Sequence, residues 1–163
     1  MRSSRAFTLI ELLVVVAIIS LFVAVVFSNL SSARMKARDA RRFFELGQVR
    51  QELLIYFNSN GSYPALPVAC GAALWAQSNV PACWNAFGTL FSATMPQFPI
   101  DPVNTTIDSV PYIYAYQPVS GGTGFRLVSV LQTSTSPGDL CAAGGDGPVG
   151  FPASFYCIGD NWQ

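Results

Sequence analysis

Between Ala6 and Phe27 lies an apolar run broken near its start by one carboxylate, Glu11. The stretch Phe7 to Phe27 forms a helix about 31 Å long, which matches the hydrocarbon thickness of a bilayer. A charge at the centre of a membrane costs roughly 2.5–3.5 kcal/mol on insertion scales. Glu11, however, lies only four residues from Phe7, about 6 Å along the helix axis and therefore near the interface. It becomes truly buried only if such helices leave the lipid and pack on one another.

The run has no proline or glycine, and none follows before Gly47. The spacing therefore predicts helix from about Thr8 to Asn58. Its second part is amphipathic, with Phe43, Leu46, Val49, Leu53, Tyr56 and Phe57 forming one stripe and Glu45, Gln48, Arg50, Gln51 and Glu52 opposite. Asn60-Gly61 and Pro64 end it. Beyond lie a long loop with a short helix near Trp84–Ala93, then strand patterns at Val110–Gln117, Phe125–Gln132 and Ser154–Ile158. The expected fold class is α+β, a long N-terminal helix whose stripe is covered by a small antiparallel sheet. The divisions are residues 1–6, a basic leader; 7–30, an apolar helix; 31–58, its amphipathic continuation; and 59–163, a globular head.

Charge is segregated along the chain. Eight of the nine Lys/Arg precede residue 51, and from Gly61 onward one Arg faces five Asp, a net of −4. Such a head has no basic patch for phosphates, so direct nucleic-acid binding is not expected. The cluster Arg34, Lys36, Arg38, Arg41 and Arg42 reads as a solvated or headgroup-contacting helix surface, with contact to acidic groups of neighbouring subunits as the alternative. By charge counting alone it would hold the C-terminal side in the cytoplasm. The cysteines argue the reverse. Cys70, Cys83, Cys141 and Cys157 all follow the apolar run, as two disulfides in an oxidising space would. Three pairings are open, and the local ones, Cys70–Cys83 and Cys141–Cys157, are preferred. There is no histidine and no Cys-x-x-Cys, so zinc is not expected. Nor is there a nucleophile elbow or a phosphate loop. Catalysis is therefore not expected.

The segment Ala6-Phe-Thr-Leu-Ile-Glu-Leu-Leu13, behind the basic Met1-Arg-Ser-Ser-Arg5, resembles the class III signal of type IV pilins and type II secretion pseudopilins. Gly61-Ser-Tyr-Pro64 and Phe98-Pro-Ile-Asp-Pro-Val103 before Tyr112-x-Tyr114 are similar to head motifs of that superfamily. The resemblance implies cleavage between Ala6 and Phe7 by a prepilin peptidase that also methylates the new Phe7 amine. It implies that Glu11 meets the Phe7 amine of a neighbouring subunit as helices bundle into a filament. Its partners would be further copies of itself, that peptidase, an inner-membrane assembly platform and the lipid bilayer before assembly. The chain would be a single-pass inner-membrane protein with its head outside the cytoplasm, then part of a surface or periplasmic filament. Ala6 stands where the family usually has Gly, and Ser20 and Ser28 lie in the stretch where many relatives carry helix breakers.

No cofactor is expected apart from calcium, which similar major pseudopilins hold in a Gly-rich C-terminal region. Here that region carries Asp139, Asp146 and Asp160, although their spacing matches no compact calcium loop. The favoured function is a pilus-like filament subunit, with a secretion pseudopilin as the alternative. Two plainer readings remain: a secretory signal peptide cleaved after Ser31-Ser32-Ala33, or a tethered domain that never polymerises. A mature N-terminus at Phe7, at Arg34 or at the leader would separate the three. Asn60-Gly-Ser62 and Asn104-Thr-Thr106 fit the glycosylation pattern, and Tyr112, Tyr114 and Tyr116 are read as packing residues on one strand face.

Overall fold

A computed structural model of the chain describes residues 7–133 and 155–160, without the side chains of 25, 26, 28, 29 and 160. Helix α1 spans Leu9–Asn60, close to the expected limits. The chain divides into two compact units, Met1–Ala37 and Arg38–Gln163. The division falls inside the amphipathic stretch expected at 31–58. In the first unit every described side chain from Phe7 to Arg34 is exposed, including Leu9 at 81% and Leu21 at 70%. Among the described residues no helix is long and apolar enough to cross a membrane; the expected apolar helix, 7–30, includes four positions whose side chains are not described.

The second unit holds the core. Its four-stranded antiparallel sheet has the order β1 (Ala76–Gln77), β4 (Tyr114–Val119), β5 (Gly124–Ser129), β6 (Tyr156–Asp160). Alternation along the strands sends Tyr114, Tyr116, Phe125 and Leu127 toward Leu46, Val49 and Leu53 of α1, all of them fully buried. The opposite face collects Trp75, Ala115, Val128 and Cys157. Helix α2 (Pro81–Gly88) starts on Pro81 at its first turn and runs into a 3₁₀ turn, Thr89–Phe91. It thus begins three residues earlier than expected and is shorter. Phe87 stacks on Tyr116 with ring centroids 4.4 Å apart and buries the end of the helix.

One expected strand is in fact two. Val110–Gln117 breaks at Ile113, whose N–H reaches back to the Pro111 carbonyl at 3.2 Å, a three-residue turn that bends the chain. Ahead of the bend, β3 (Val110–Tyr112) pairs with β2 (Thr105–Ile107) in a separate hairpin. Its two-residue turn, Asp108-Ser109, has φ of 50° and 66°, the conformation that right-twisted hairpins prefer. Tyr112 therefore sits in a different sheet from Tyr114 and Tyr116. Only those last two share a strand face, buried beneath the helix.

Candidate functional site: the helix start and a buried ion cluster

Phe7 is 76% exposed; Ala6 lies outside the described residues. One turn on, Glu11 has a partner within its own chain. Thr8 donates its backbone N–H (2.9 Å) and its hydroxyl (2.7 Å) to Glu11 Oε2, while the Glu11 N–H donates to Thr8 Oγ1 at 3.3 Å. This is a reciprocal capping box, Thr-x-x-Glu, which satisfies donors that the first turn of a helix leaves free. The signature Thr8-Leu-Ile-Glu11 is present in the sequence as a Thr-x-x-Glu box ahead of an apolar run. Glu11 therefore begins and holds α1 besides any part in assembly.

The second finding corrects the reading of the basic cluster as a solvated surface at one position: Arg34, Lys36 and Arg41 are exposed, but Arg42 is not. Arg42 is fully buried. Its Nε and Nη2 donate to the two oxygens of Asp101 at 2.7 and 2.8 Å, and Nη1 donates to Asp39 Oδ1 at 2.8 Å. Forked contact of this kind is the strongest arrangement open to a guanidinium. The Tyr112 ring lies 5.4 Å from the Arg42 guanidinium carbon, within cation–π range. A buried charge survives only with such pairing. Asp39 in turn accepts from the backbone N–H of Gln132 (2.9 Å) and of Thr133 (2.8 Å) and from the Thr133 hydroxyl (2.6 Å). Asp101 accepts from the N–H groups of Val103 and Asn104.

Three segments distant in sequence meet there: α1 as it enters the head, the 101–104 loop, and the chain leaving β5. Burial works against the Asp39 charge more than any single contact works for it. The hydrogen bonds from Thr133, Gln132 and Arg42 together prevail, and its carboxyl is held below the ordinary carboxylate range. Burial likewise opposes the charge of Arg42, but Asp101 and then Asp39 outweigh it and hold the guanidinium above its usual value. Two further cations of the cluster are engaged as well. Arg41 pairs with Glu45 at 2.7 Å, and Arg38 donates to Gln132. Arg42 stands four, seven and eleven residues before Leu46, Val49 and Leu53, in phase with the buried stripe, and that phase was its sequence signal.

Cys70 and Cys83 form a disulfide, clipping the loop to α2. Cys157 is also disulfide-bonded; Cys141 lies outside the described residues. Asp139 and Asp146 lie outside them too, and the Asp160 side chain is not described. Among the described residues no three His, Cys, Asp or Glu side chains gather as a metal would require. Asn104 is tied to Ser78, accepting from its hydroxyl at 2.6 Å and donating to its carbonyl.

A long N-terminal helix on a small antiparallel sheet, with a capped start behind an exposed Phe7, defines a pilin-type subunit. Residues 1–27 match the family model of the prokaryotic N-terminal methylation motif. The chain is 31% identical over 126 residues to the type IV wide pilus major component PilA4 of Thermus thermophilus, an alignment that takes in 67% of this chain and 95% of that protein. The chain belongs to the type IV pilin family. No solved structure matches it.

Proposed function

We propose that this chain is the structural subunit of a type IV pilus-like filament, polymerised through its N-terminal helix. The leader Met1–Ala6 is removed by a prepilin peptidase, which frees and methylates the Phe7 amine. The apolar half of α1 is then stored in the inner membrane, with the head outside the cytoplasm, until an assembly platform draws it into the filament. The chain is a substrate for processing, not a catalyst. The observation that carries this reading is the exposure of Leu9, Ile10, Leu12 and Leu13, at 58–81%. So much apolar surface demands lipid or further protein to cover it. The similarity to a wide-pilus major component supports a pilus over a secretion pseudopilus.

In the filament the Glu11 carboxylate meets a neighbour's Phe7 amine, an ion pair that sets register more than it adds stability. The capping box supplies a clean test. Glutamine also serves at this position of the box but brings no charge to an amine. Glu11→Gln should leave helix content and membrane insertion intact while filament yield, counted by electron microscopy, collapses. Abundant filaments from Glu11→Gln would reduce Glu11 to a helix cap.

A further inference from the structure

Within the head unit, Gln48, Gln51 and Glu52 of α1 line a groove of about 470 Å³ together with residues 94–97, the stretch that follows the 3₁₀ turn. Small-molecule sites fall in this size range, about 300–1,000 Å³. The wall opposite the helix is fixed by the core. Thr94 and Met95 donate their backbone N–H groups to the Phe91 carbonyl at 3.1 and 2.7 Å, and the Phe91 and Phe98 rings on either side of the stretch stack with centroids 5.7 Å apart. The Thr94 hydroxyl ties the wall to the helix by donating to Glu52 Oε2. A wall so held loses little freedom when a ligand arrives. The groove also keeps unused hydrogen-bonding capacity. The side chains of Gln48, Gln51 and Gln97 bond to no protein group among the described residues. No Lys or Arg lines the groove among those residues.

We infer that this groove binds a neutral saccharide. A glutamine amide presents donors and an acceptor side by side, and neighbouring hydroxyls on a sugar ring match it because each hydroxyl both donates and accepts. The Glu52 carboxylate accepts from a further hydroxyl through the oxygen that Thr94 leaves open, and Met95 and Pro96 offer apolar surface to ring C–H groups. Other ligand classes fit less well. A phosphate, sulfate or carboxylate finds no cation here and meets Glu52. An ammonium group has donors only and leaves the amide N–H groups unused. Extended peptides dock on sheet edges or in apolar grooves, and this groove runs between a helix and a stretch without strand. A pilus-like filament would repeat the groove once per subunit, so that weak single sites act together on a polysaccharide. Binding itself needs no filament.

The test uses the full-length, isotope-labelled subunit, unassembled, in a phosphocholine detergent whose headgroup contains no sugar. The side-chain amide signals of Gln48, Gln51 and Gln97 are followed by NMR while glucose, galactose, mannose and N-acetylglucosamine, then maltopentaose and cellopentaose, are added in turn. Sodium sulfate, putrescine and triglycine serve as the anionic, cationic and peptide probes. At least one sugar should shift these amides saturably, and tighter binding of a pentasaccharide than of its monosaccharide would name a polysaccharide as the source. The double variant Gln51→Ala/Gln97→Ala should weaken that binding about tenfold or more. Both residues are exposed, so its melting temperature should match the wild type. No response of the glutamine amides to any sugar, an undiminished affinity in the double variant, or an equal or stronger response to sulfate, putrescine or triglycine would overturn the assignment. None of these outcomes bears on the filament reading, because no step of the test requires assembly.

Discussion

The two parts of α1 use the same backbone and invert the usual relation between polarity and burial. From Leu9 to Ala24 the side chains are almost all apolar and all exposed. From Arg38 onward a guanidinium and a carboxylate are buried, Arg42 at 0% and Asp39 at 3% exposure, while Phe44 stands in solvent. Burial in this chain follows the availability of partners. Arg42 has two carboxylates and a ring, so it can leave water. Leu9 has no such partner among the described residues and stays 81% exposed, a surface suited to lipid or further protein. The comparison separates what the head needs in order to fold from what the subunit keeps for assembly.

The sharpest way to break that comparison is Arg42→Ala. It strands Asp39 and Asp101 without their cation, and removing one partner of a buried ion pair typically costs about 3–5 kcal/mol. Leu12→Ala, at an exposed position of the apolar half, should change head stability by no more than about 0.5 kcal/mol. Denaturant unfolding of both variants in the same detergent measures the contrast. A cost below about 1 kcal/mol for Arg42→Ala would mean that the ion cluster does not hold the helix to the loops.

Replacing Cys70 and Cys83 together by serine has the next largest effect expected. The bridge closes 13 residues of sequence, and loop-entropy arguments give about 3 kcal/mol for a loop of that size. The loss should appear in the head alone and should match the effect of a reductant on the wild type, once the contribution of Cys157 is subtracted with a Cys157→Ser control. Helix content of the first unit should not change.

Periodic and compositional signals were legible in the sequence. The helix limits, the stripe Leu46–Val49–Leu53, strands β4 and β5 and the Cys70–Cys83 bridge could be read because each follows from a repeating pattern or a cheap local closure. What escaped was set by partners far along the chain. Arg42 reads as a surface cation until Asp101, 59 residues later, is placed beside it. Strand β1 is two residues long and β2 three, too short for any alternation to register. The break at Ile113 depends on the proline before it and on which strand each half finds to pair with. The Thr8–Glu11 box is a different case. Its signature is local, spanning Thr8 to Glu11, and needs no partner from far along the chain.

The smallest effect is in pH dependence, and it belongs to one region only. Burial, and for Tyr114 a hydrogen bond to Glu45 at 2.6 Å, pushes the phenols of Tyr114 and Tyr116 well above the ordinary value. A group raised in the folded state gives stability that is complete below its unfolded pKa, about 10 for tyrosine, and is lost as pH climbs beyond it. Asp39 has the opposite sign. Its folded value is depressed, so its contribution is present above about 3.9 and fades as pH falls toward the folded value. Head stability should therefore be flat across neutral pH and decline at both ends. Asp39→Asn should remove part of the acid slope and leave the alkaline one alone. Residues 7–37 contain no tyrosine and Glu11 as their only acid, so their helical signal should persist through the alkaline range in which the head melts. Tyr114 and Tyr116 should resist ionisation, followed at 295 nm, until that melting. Ionisation of those two phenols before the head melts would show that the sheet face under α1 admits water, and the contrast between the two regions would lose its basis.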